Sequence, residues 1–474
     1  MTMRKQGVLL FCILMFCYAY LHQRTGWSRG WNQNSRLDLL HALLVQKTFK
    51  IDAYHENTGD KSIHDGHYYS DKAPGIVFLA QPAFATSAVI LKILDVPLDS
   101  ARGWLASSWM TTAASVGVIT ALGGVAMFVF LSKLVGPRHA FITTLIVFLG
   151  SAPFPYATML FSHAAVIGLI CIALWAMADP VFLARVTRGQ PPLTPPLAHP
   201  TGEGGAAPWL KRYLLAGFCC GLAISSEYTA ATAAGGVLAL ALCSSFKRGV
   251  VLAMAAIPPL LLIATYNWVC FDGPLAFGYH HLARPEFQKM NEGLFGITFP
   301  PKASSAYVIL LSPERGLFFW TPFFLMAFLG LKSFRQRYPA LLWVSCAVIG
   351  LHVICISGYY MPDGGDALGP RLLAPMLPFL AVCAAWGLSR HWRLGLVLGY
   401  YSVLLTGVAT TVDAMPPQAL QRPHDFYVPR LMDGSFANSI GTEMGLGSWL
   451  SICVLVAVAA TACLVAFRQL DETD

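Results

Sequence analysis

Runs of apolar residues about 20 long recur along nearly the whole chain. Backbone amides find no hydrogen-bond partner among lipid tails, so runs of this length cross a bilayer as α-helices. The sequence is 56% hydrophobic and only 12% charged, and its mean hydropathy is +0.57. This composition excludes a soluble multidomain protein. We therefore predict an all-α polytopic membrane protein.

Charged or Pro/Gly-rich breaks divide the apolar sequence into thirteen candidate spans. Lys and Arg near span ends are retained on the cytoplasmic side, and they place both chain ends there. An odd number of spans, such as thirteen, would leave the two chain ends on opposite sides of the membrane. We therefore predict that one helix between 75 and 132 is re-entrant, doubled or wrongly divided. The predicted spans cover 7–22, 75–94, 104–132, 140–158, 162–182, 213–226, 229–245, 249–266, 316–332, 339–358, 372–389, 393–411 and 447–467.

The net charge of +8 comes mostly from these cytoplasmic Lys and Arg residues. Topology and contact with anionic lipid account for it, so no nucleic-acid partner is expected. The 12 cysteines lie in or beside apolar spans, which favours neither a disulfide framework nor a zinc site. The basic start and apolar run of 3–22 lack a small-x-small cleavage site, so we expect an uncleaved first span.

The polar segments divide the chain into regions. A first span (1–22) is followed by a polar outer loop (23–73), an N-terminal transmembrane module (74–182), a flexible cytoplasmic linker (183–212) and a C-terminal transmembrane module (213–474). The second module has outer loops near 267–315, 359–371 and 412–446. Since the inner loops are short, we expect the substrate to be met at the outer face.

The loop 23–73 concentrates ionisable side chains in a chain that has few of them. Ser35 is placed to cap an amphipathic helix over 36–48, with Leu residues at helical spacing lying on the membrane surface. Asp38 projects from its first turn. A carboxylate there also favours the helix dipole, so a purely structural role stays open.

Lys72 stands where the chain re-enters the bilayer, at a depth where it can bind a lipid phosphate or simply snorkel to the interface. Tyr68 and Tyr69 beside it suit a sugar headgroup or an aromatic belt. Glu227 interrupts apolar sequence, which indicates either a functional ionisable group or a short outer turn. His163 at similar depth favours a hydrogen-bonded structural histidine.

The segment Arg36-Leu37-Asp38 and the run 66–75 (Gly-His-Tyr-Tyr-Ser-Asp-Lys-Ala-Pro-Gly) resemble motifs of the GT-C glycosyltransferases that use polyprenyl-phosphate sugars. The likeness is to the branch of family 39 containing protein O-mannosyltransferases and aminoarabinose transferases, whose turn has the form gly-x-x-tyr-x-x-lys-pro-pro. This chain has a single Asp38 instead of an acidic pair, and Ala73 instead of the first proline. Residues 312–319 and 364–371 are also similar to bacterial members.

The resemblance implies a GT-C helix bundle with short amphipathic surface helices in its outer loops, and transfer of a sugar from a polyprenyl-phosphate donor with inversion. An acid–base mechanism of this kind needs a carboxylate for the acceptor proton and cations for the phosphate. The assignments are Asp38 as base, Lys72, Arg371 and Arg315 as phosphate ligands, and Arg36, Tyr68, Tyr69, Asp71 and Glu227 as substrate-binding residues.

The resemblance also implies a bacterial inner-membrane location with a periplasmic site, and no cofactor beyond the lipid-linked donor. Asp38, Lys72 and Arg371 are then expected around one outer cavity. Asp60, His64, Asp65 and His67 have ligand chemistry for a divalent ion, but their spacing matches no defined site and turn chemistry also explains them. We predict no metal.

Other functions fit parts of the sequence. A transporter or lipid flippase also needs many spans, although its ionisable groups usually lie near the bilayer midplane. Another lipid-linked transferase, such as an O-antigen ligase, shares outer-face chemistry. A phosphoethanolamine-type transferase usually has a large soluble domain, for which no loop is long enough, and a scaffold does not explain the polar first loop.

Protein, lipid A, polysaccharide and other glycolipids all stay open as acceptor.

Overall fold

The structure is a computed structural model that describes residues 3–23, 29–187, 208–418 and 420–471. The Pro- and Gly-rich motifs of the predicted linker, at 190–196 and 202–205, lie outside these residues. The first part contains α1 (Met3–Tyr20), β1 (Leu21–His22), α2 (Trp31–His41), β2 (Lys61–His64), β3 (His67–Ser70), α3 (Gly75–Ile93), α4 (Ala101–Thr112), α5 (Val118–Val135), α6 (Pro137–Leu149), α7 (Pro153–Ala157), α8 (Ser162–Met177) and α9 (Pro180–Val186).

The second part is also mainly helical. It contains α10 (Pro208–Ser226), α11 (Ala231–Ser244), α12 (Phe246–Phe271), α13 (Ala303–Leu310), α14 (Leu317–Trp320), α15 (Leu331–Arg337), α16 (Pro339–Ser357), α17 (Leu377–Arg390), α18 (Trp392–Val412), α19 (Pro423–Met432), β4 (Asn438–Ser439), α20 (Ile440–Glu443) and α21 (Ser448–Asp471). Short 3-10 and π-helical segments link several of these helices.

Seven helical segments of the described chain are long and apolar enough to cross a membrane, and α8 with α9, bent by 95°, makes an eighth. The prediction of a multi-pass all-α membrane protein is thereby confirmed. The predicted span 316–332 is wrong as a single helix. It consists of α14, a 3-10 segment and α15, because Pro322 lacks an amide hydrogen and Gly330 takes a left-handed φ of 77°.

The region 75–132, in which one helix was expected to be re-entrant, doubled or wrongly divided, contains α3 and then one long helical segment. A π-helical segment, Ala113–Gly117, joins α4 to α5, so that Ala101–Val135 runs unbroken for 35 residues. At 1.5 Å per residue this is about 52 Å, well beyond the ~30 Å hydrocarbon core of a bilayer. A single over-long helix, and not a re-entrant pair, therefore occupies most of this region.

Small residues let the central helices approach closely. A Cβ on Gly123 of α5 would lie 2.2 Å from the Cα of Gly168 in α8, and one on Gly217 of α10 would lie 2.1 Å from the carbonyl oxygen of Leu252 in α12. Such contacts bring backbones into van der Waals contact, the main attraction between helices in lipid. These two pairs, α5 with α8 and α10 with α12, are tightly packed parts of the bundle.

The helix that follows the first span differs from its prediction. It begins after Gly30, whose φ of 79° is left-handed, so Ser35 is not its cap. Ser35 lies inside the helix and forms a 2.7 Å hydrogen bond to the hydroxyl of Ser70. Residues 33–41 are all buried, so α2 is packed inside the protein and is not an amphipathic helix resting on a membrane surface.

Two short sheets fix the polar loops. β2 pairs with β3 through a two-residue turn, Asp65-Gly66, whose φ values of 49° and 77° suit the Asp-Gly turn of a tight hairpin. β1 pairs with β4, and this pairing brings the loop after α18 back to the end of the first helix. The hairpin leads directly into residues 71 and 72 at the start of α3.

The Gly123–Gly168 contact makes a stability prediction. Gly123→Ala forces α5 and α8 apart, and overpacking of this kind costs about 1–3 kcal/mol. Gly350→Ala in α16 is the matched control because a Cβ there meets nothing within 4 Å. Thermal unfolding in detergent is expected to show a lower Tm for Gly123→Ala and an unchanged or slightly higher Tm for Gly350→Ala. Equal Tm values for the two variants would contradict the packing described.

Candidate active site

A cavity of about 350 Å³ lies among the polar loops. Each of the four loops predicted from the sequence contributes residues to its wall, and Phe161, just before α8, adds another. This volume is in the range of small-ligand sites. The charged side chains on the wall are Arg29, Asp60, Asp71, Lys72, Asp366 and Arg371.

Lys72 lies between two carboxylates of the cavity wall. Its Nζ is 2.9 Å from Asp60 Oδ2 and 3.1 Å from Asp71 Oδ2. All three side chains are largely withdrawn from solvent, with exposed fractions of 12% for Lys72, 14% for Asp60 and 1% for Asp71. Asp71 Oδ1 has no hydrogen-bond partner in the described structure. The group therefore has an unused acceptor atom.

Burial and charge shift the pKa values of this group. Burial, which outweighs the attraction of Lys72, raises the pKa of Asp71 to about 6, and the charge of Asp60 adds to the increase. Burial alone would lower the pKa of Lys72, but the two carboxylates outweigh it and raise the pKa above its usual value. Lys72 therefore stays charged while Asp71 titrates near neutral pH.

Arg371 supplies a second cation to the same wall. Its guanidinium lies over the ring of Phe161, 5.3 Å from the centroid, and its Nε has no hydrogen-bond partner within the described residues. The preceding loop wraps closely around it, since a Cβ on Gly364 would lie 2.9 Å from that Nε. Lys72 and Arg371, both predicted as phosphate ligands, thus line one cavity, and Arg371 has a free donor.

Arg315, the third predicted phosphate ligand, is used differently. It is fully buried and donates to the carbonyl oxygens of Gly365, 3.0 Å away, and Pro417, 3.2 Å away. Its side chain does not reach the cavity wall. The guanidinium instead joins the two loops that form part of that wall, which is a structural role.

Arg36 and Glu227 belong to a buried polar chain. Arg36 Nη2 donates to Ser162 Oγ over 3.2 Å, and Ser162 donates to Glu227 Oε2 over 2.9 Å. His163 Nδ1 lies 3.5 Å from the same carboxylate oxygen. Arg36 also donates to both oxygens of Asn32, which lines the cavity. The predicted substrate ligands Arg36 and Glu227 therefore stand behind the wall.

Asp38 is not brought to the cavity. Its side chain is fully buried, Oδ1 accepts a 2.9 Å hydrogen bond from Asn57 Nδ2, and Oδ2 has no partner in the described structure. Burial raises its pKa well above the usual value. The expected meeting of Asp38 with Lys72 and Arg371 is therefore wrong for Asp38. A base has to reach the proton of its substrate, and Asp38, unlike Asp71, does not line this cavity.

The two predicted tyrosines also point elsewhere. Tyr68 stacks on His55 with ring centroids 3.8 Å apart, and Tyr69 packs edge-on against Phe271 at 5.5 Å. Neither lines the cavity, whose aromatic wall residues are Trp31, Phe161, Phe287, Tyr359 and Tyr360. Sequence reasoning missed this set. The only available signal was the pair Tyr359-Tyr360 at the start of a polar loop rich in Gly and Asp.

The buried Asp38 predicts an unusual effect of Asn substitution. The folded state holds the proton of Asp38 more tightly than the unfolded state, so its contribution to stability declines as pH rises above about 4. Asp38→Asn keeps an acceptor for Asn57 and removes the buried charge. Its Tm in detergent is expected to equal or exceed that of the parent at pH 8, by a margin that grows from pH 5 to pH 8.

Asp52→Asn in the same loop is the control. Burial acts to raise the pKa of Asp52, but hydrogen bonds from the Tyr68 amide and from His67 outweigh it and lower the pKa. Its carboxylate therefore contributes stability above about pH 4, and Asp52→Asn is expected to lower Tm at pH 8. If Asp38→Asn lowers Tm at pH 8 as much as Asp52→Asn does, the charge of Asp38 is used in the native state.

No protein-family model and no curated protein matches the sequence. Solved structures do match its fold. ArnT from Cupriavidus metallidurans bound to undecaprenyl phosphate aligns over 97% of this chain and 75% of its own, with a TM-score of 0.51 and 15% identity. ArnT in the apo state aligns over 98% and 76%, with a TM-score of 0.50 and 15% identity. AglB, an oligosaccharyltransferase from Archaeoglobus fulgidus, aligns over 92% and 56%, with a TM-score of 0.45 and 12% identity.

ArnT is an aminoarabinose transferase with the GT-C fold. At 15% identity, the match over almost the whole of this chain establishes a shared fold. It agrees with the resemblance seen in the sequence. The chain is therefore a multi-pass membrane protein with the GT-C fold.

Proposed function

We propose that this protein is a membrane glycosyltransferase that moves a sugar from a polyprenyl-phosphate donor to an acceptor at the outer face of a bacterial inner membrane. The observation that carries the proposal is the pair of cations, Lys72 and Arg371, on one cavity of a GT-C fold. ArnT, which has that fold, was solved with undecaprenyl phosphate bound. The sugar and the acceptor, whether glycan, lipid or protein, stay open.

The two cations suit the phosphate of the donor. Negative charge grows on the phosphate as the glycosidic bond breaks, and preorganised cations in a water-poor site stabilise it. The Nε of Arg371 has no hydrogen-bond partner within the described residues, and Lys72 is kept charged by its two carboxylates. A phosphate bound here draws Lys72 partly away from Asp71, which leaves that carboxylate available for a proton.

Asp71 is the proposed base, in place of Asp38. It takes the proton of the acceptor hydroxyl or amine while the acceptor atom bonds to the anomeric carbon. The bond from that carbon to the phosphate oxygen breaks, the polyprenyl phosphate leaves with the electron pair, and the configuration inverts. Asp71 suits this role because Oδ1 is unpaired and the pKa of the group is about 6. Asp60 then orients Lys72.

A second cleft, lined by the polar loops, offers the acceptor a path to the cavity. This open cleft of about 410 Å³ shares Tyr360, Met361 and Gln418 with the cavity. Glu314 and Asp363 line it, and a polar approach of this kind suits a hydroxyl-bearing acceptor. The donor and acceptor would then reach the carboxylate group from different sides.

The proposal predicts which cations matter for transfer. Purified protein is incubated with labelled polyprenyl-phosphate sugars and membranes, and labelled product is measured. Lys72→Met and Arg371→Met are each expected to lower the rate about 10²–10³-fold, as loss of one charge-stabilising donor does. Lys50→Met, in the same loop and away from the cavity wall, is expected to keep parental activity.

A Lys72→Met or Arg371→Met variant with parental transfer rates would contradict the phosphate assignment. Should the parent itself transfer no label to any acceptor while it carries labelled lipid across vesicle membranes, the protein would be a flippase and not a transferase.

The assignment of the base predicts a pH profile. Asp71 accepts a proton only when ionised, so kcat/KM is expected to fall about tenfold per pH unit below about pH 6. Asp71→Asn removes both the activity and this limb, whereas Asp38→Asn keeps both. If Asp38→Asn is inactive while folded, the original assignment of Asp38 is right. If Asp60→Asn alone abolishes the limb, Asp60 and not Asp71 is the base.

A further inference from the structure

A second cluster of ligand-type side chains lies at the tip of the β2–β3 hairpin, outside the cavity wall. His64 Nε2 is 2.9 Å from Asp272 Oδ2 and 3.8 Å from Asp65 Oδ2. One ligand atom from each residue lies within 4.8 Å of the other two. His64 and Asp65 belong to the hairpin, whereas Asp272 ends α12, 207 residues later in the chain than Asp65. The fold therefore assembles a group that sequence spacing did not reveal.

The charges of this group are unbalanced. A single imidazole nitrogen has at most one proton to donate, so it satisfies one of the two carboxylates. Asp65 and Asp272 are 79% and 78% exposed, and nothing about burial forces them together. A divalent cation between the three side chains would neutralise both carboxylates at once.

The distances suit a metal ion. Zinc binds imidazole nitrogen and carboxylate oxygen at about 2.0–2.2 Å, which places tetrahedral ligand atoms about 3.3–3.6 Å apart. The two separations from His64 Nε2, 2.9 Å and 3.8 Å, bracket that range. Small side-chain rotations are enough to form three bonds to one ion.

A further imidazole lies beside the group. His281 comes from a third segment, and its ring centroid is 4.6 Å from that of His64. It stacks on Phe271 with centroids 5.1 Å apart, which fixes its plane. The imidazole of His281 therefore forms part of the surroundings of His64.

We infer that His64, Asp65 and Asp272 bind a divalent cation of the zinc type. Mixed imidazole and carboxylate ligands favour zinc over calcium or magnesium, which prefer all-oxygen sites. The ion would tie the hairpin to the end of α12, and the hairpin leads directly into Asp71 and Lys72. The inference departs from the sequence-based prediction of no metal, and it does not depend on the proposed transferase activity.

The test uses Co²⁺ as a spectroscopic substitute for Zn²⁺ on the full chain in detergent. The parent is expected to bind one Co²⁺ with visible d–d absorption and without thiolate charge-transfer bands, and Zn²⁺ is expected to displace it. His64→Ala and Asp272→Asn are each expected to weaken binding at least about tenfold. His67→Ala is the matched control, because His67 lies on the same hairpin and its ring pairs with Asp52, outside the His64 group.

Each outcome decides the inference. It is overturned if the parent binds no Co²⁺ at millimolar concentration, or if binding survives in both His64→Ala and Asp272→Asn. Equal loss in His67→Ala would show general surface binding and would also overturn it. Asp272→Asn changes one exposed oxygen, so its circular dichroism and Tm without metal are expected to match the parent and exclude misfolding as the cause.

Discussion

The ion group of Lys72, Asp60 and Asp71 is the interaction on which the rest of the site depends. Three charges are withdrawn from water at the junction between the β2–β3 hairpin and α3. Such burial costs several kcal/mol per ion, and removal of one partner typically costs about 3–5 kcal/mol more. A group of this kind persists where the surrounding fold holds it in place. It also keeps Lys72 charged on the wall of the cavity.

The fold supports this junction from several directions. Ser70, at the end of the hairpin, bonds to Ser35 inside the buried α2 and accepts a hydrogen bond from Tyr266 of α12 at its carbonyl. A Cβ on Gly75 would lie 2.5 Å from the backbone of Ser225, so the start of α3 lies directly against the end of α10. On the other side of the cavity, Arg315 joins the loops around Gly365 and Pro417. Helices that cross the membrane thus position a polar site built almost entirely from loops.

The sequence predicted the parts of this structure that follow from local chemistry. Apolar runs predicted most of the membrane helices, and the turn chemistry considered around Asp65 corresponds to the tip of the β2–β3 hairpin. Lys72, beside the bilayer entry, and Arg371, in a distant loop, were expected to line one outer cavity, and both do. These features depend on residues close together in the chain or on a motif that can be read directly.

The parts that could not be predicted depend on which side of an element faces the cavity. Asp38 and Tyr69 have suitable chemistry, but α2 is buried on every side and the hairpin turns Tyr69 toward Phe271. Asp60 was weighed only as turn or metal chemistry, although tertiary packing places it against Lys72. Likewise Asp272 joins His64 only because α12 ends beside the hairpin. Long-range contacts of this kind leave no periodic pattern in a single sequence.

The most direct test of the account is an experimental structure of the protein bound to undecaprenyl phosphate. The account predicts phosphate density in the cavity, within hydrogen-bond distance of Lys72 Nζ and the Arg371 guanidinium, with Asp71 nearer to the phosphate than Asp38. Phosphate density elsewhere would contradict it, with Lys72 still paired with Asp60 and Asp71 and no phosphate oxygen near the Arg371 guanidinium.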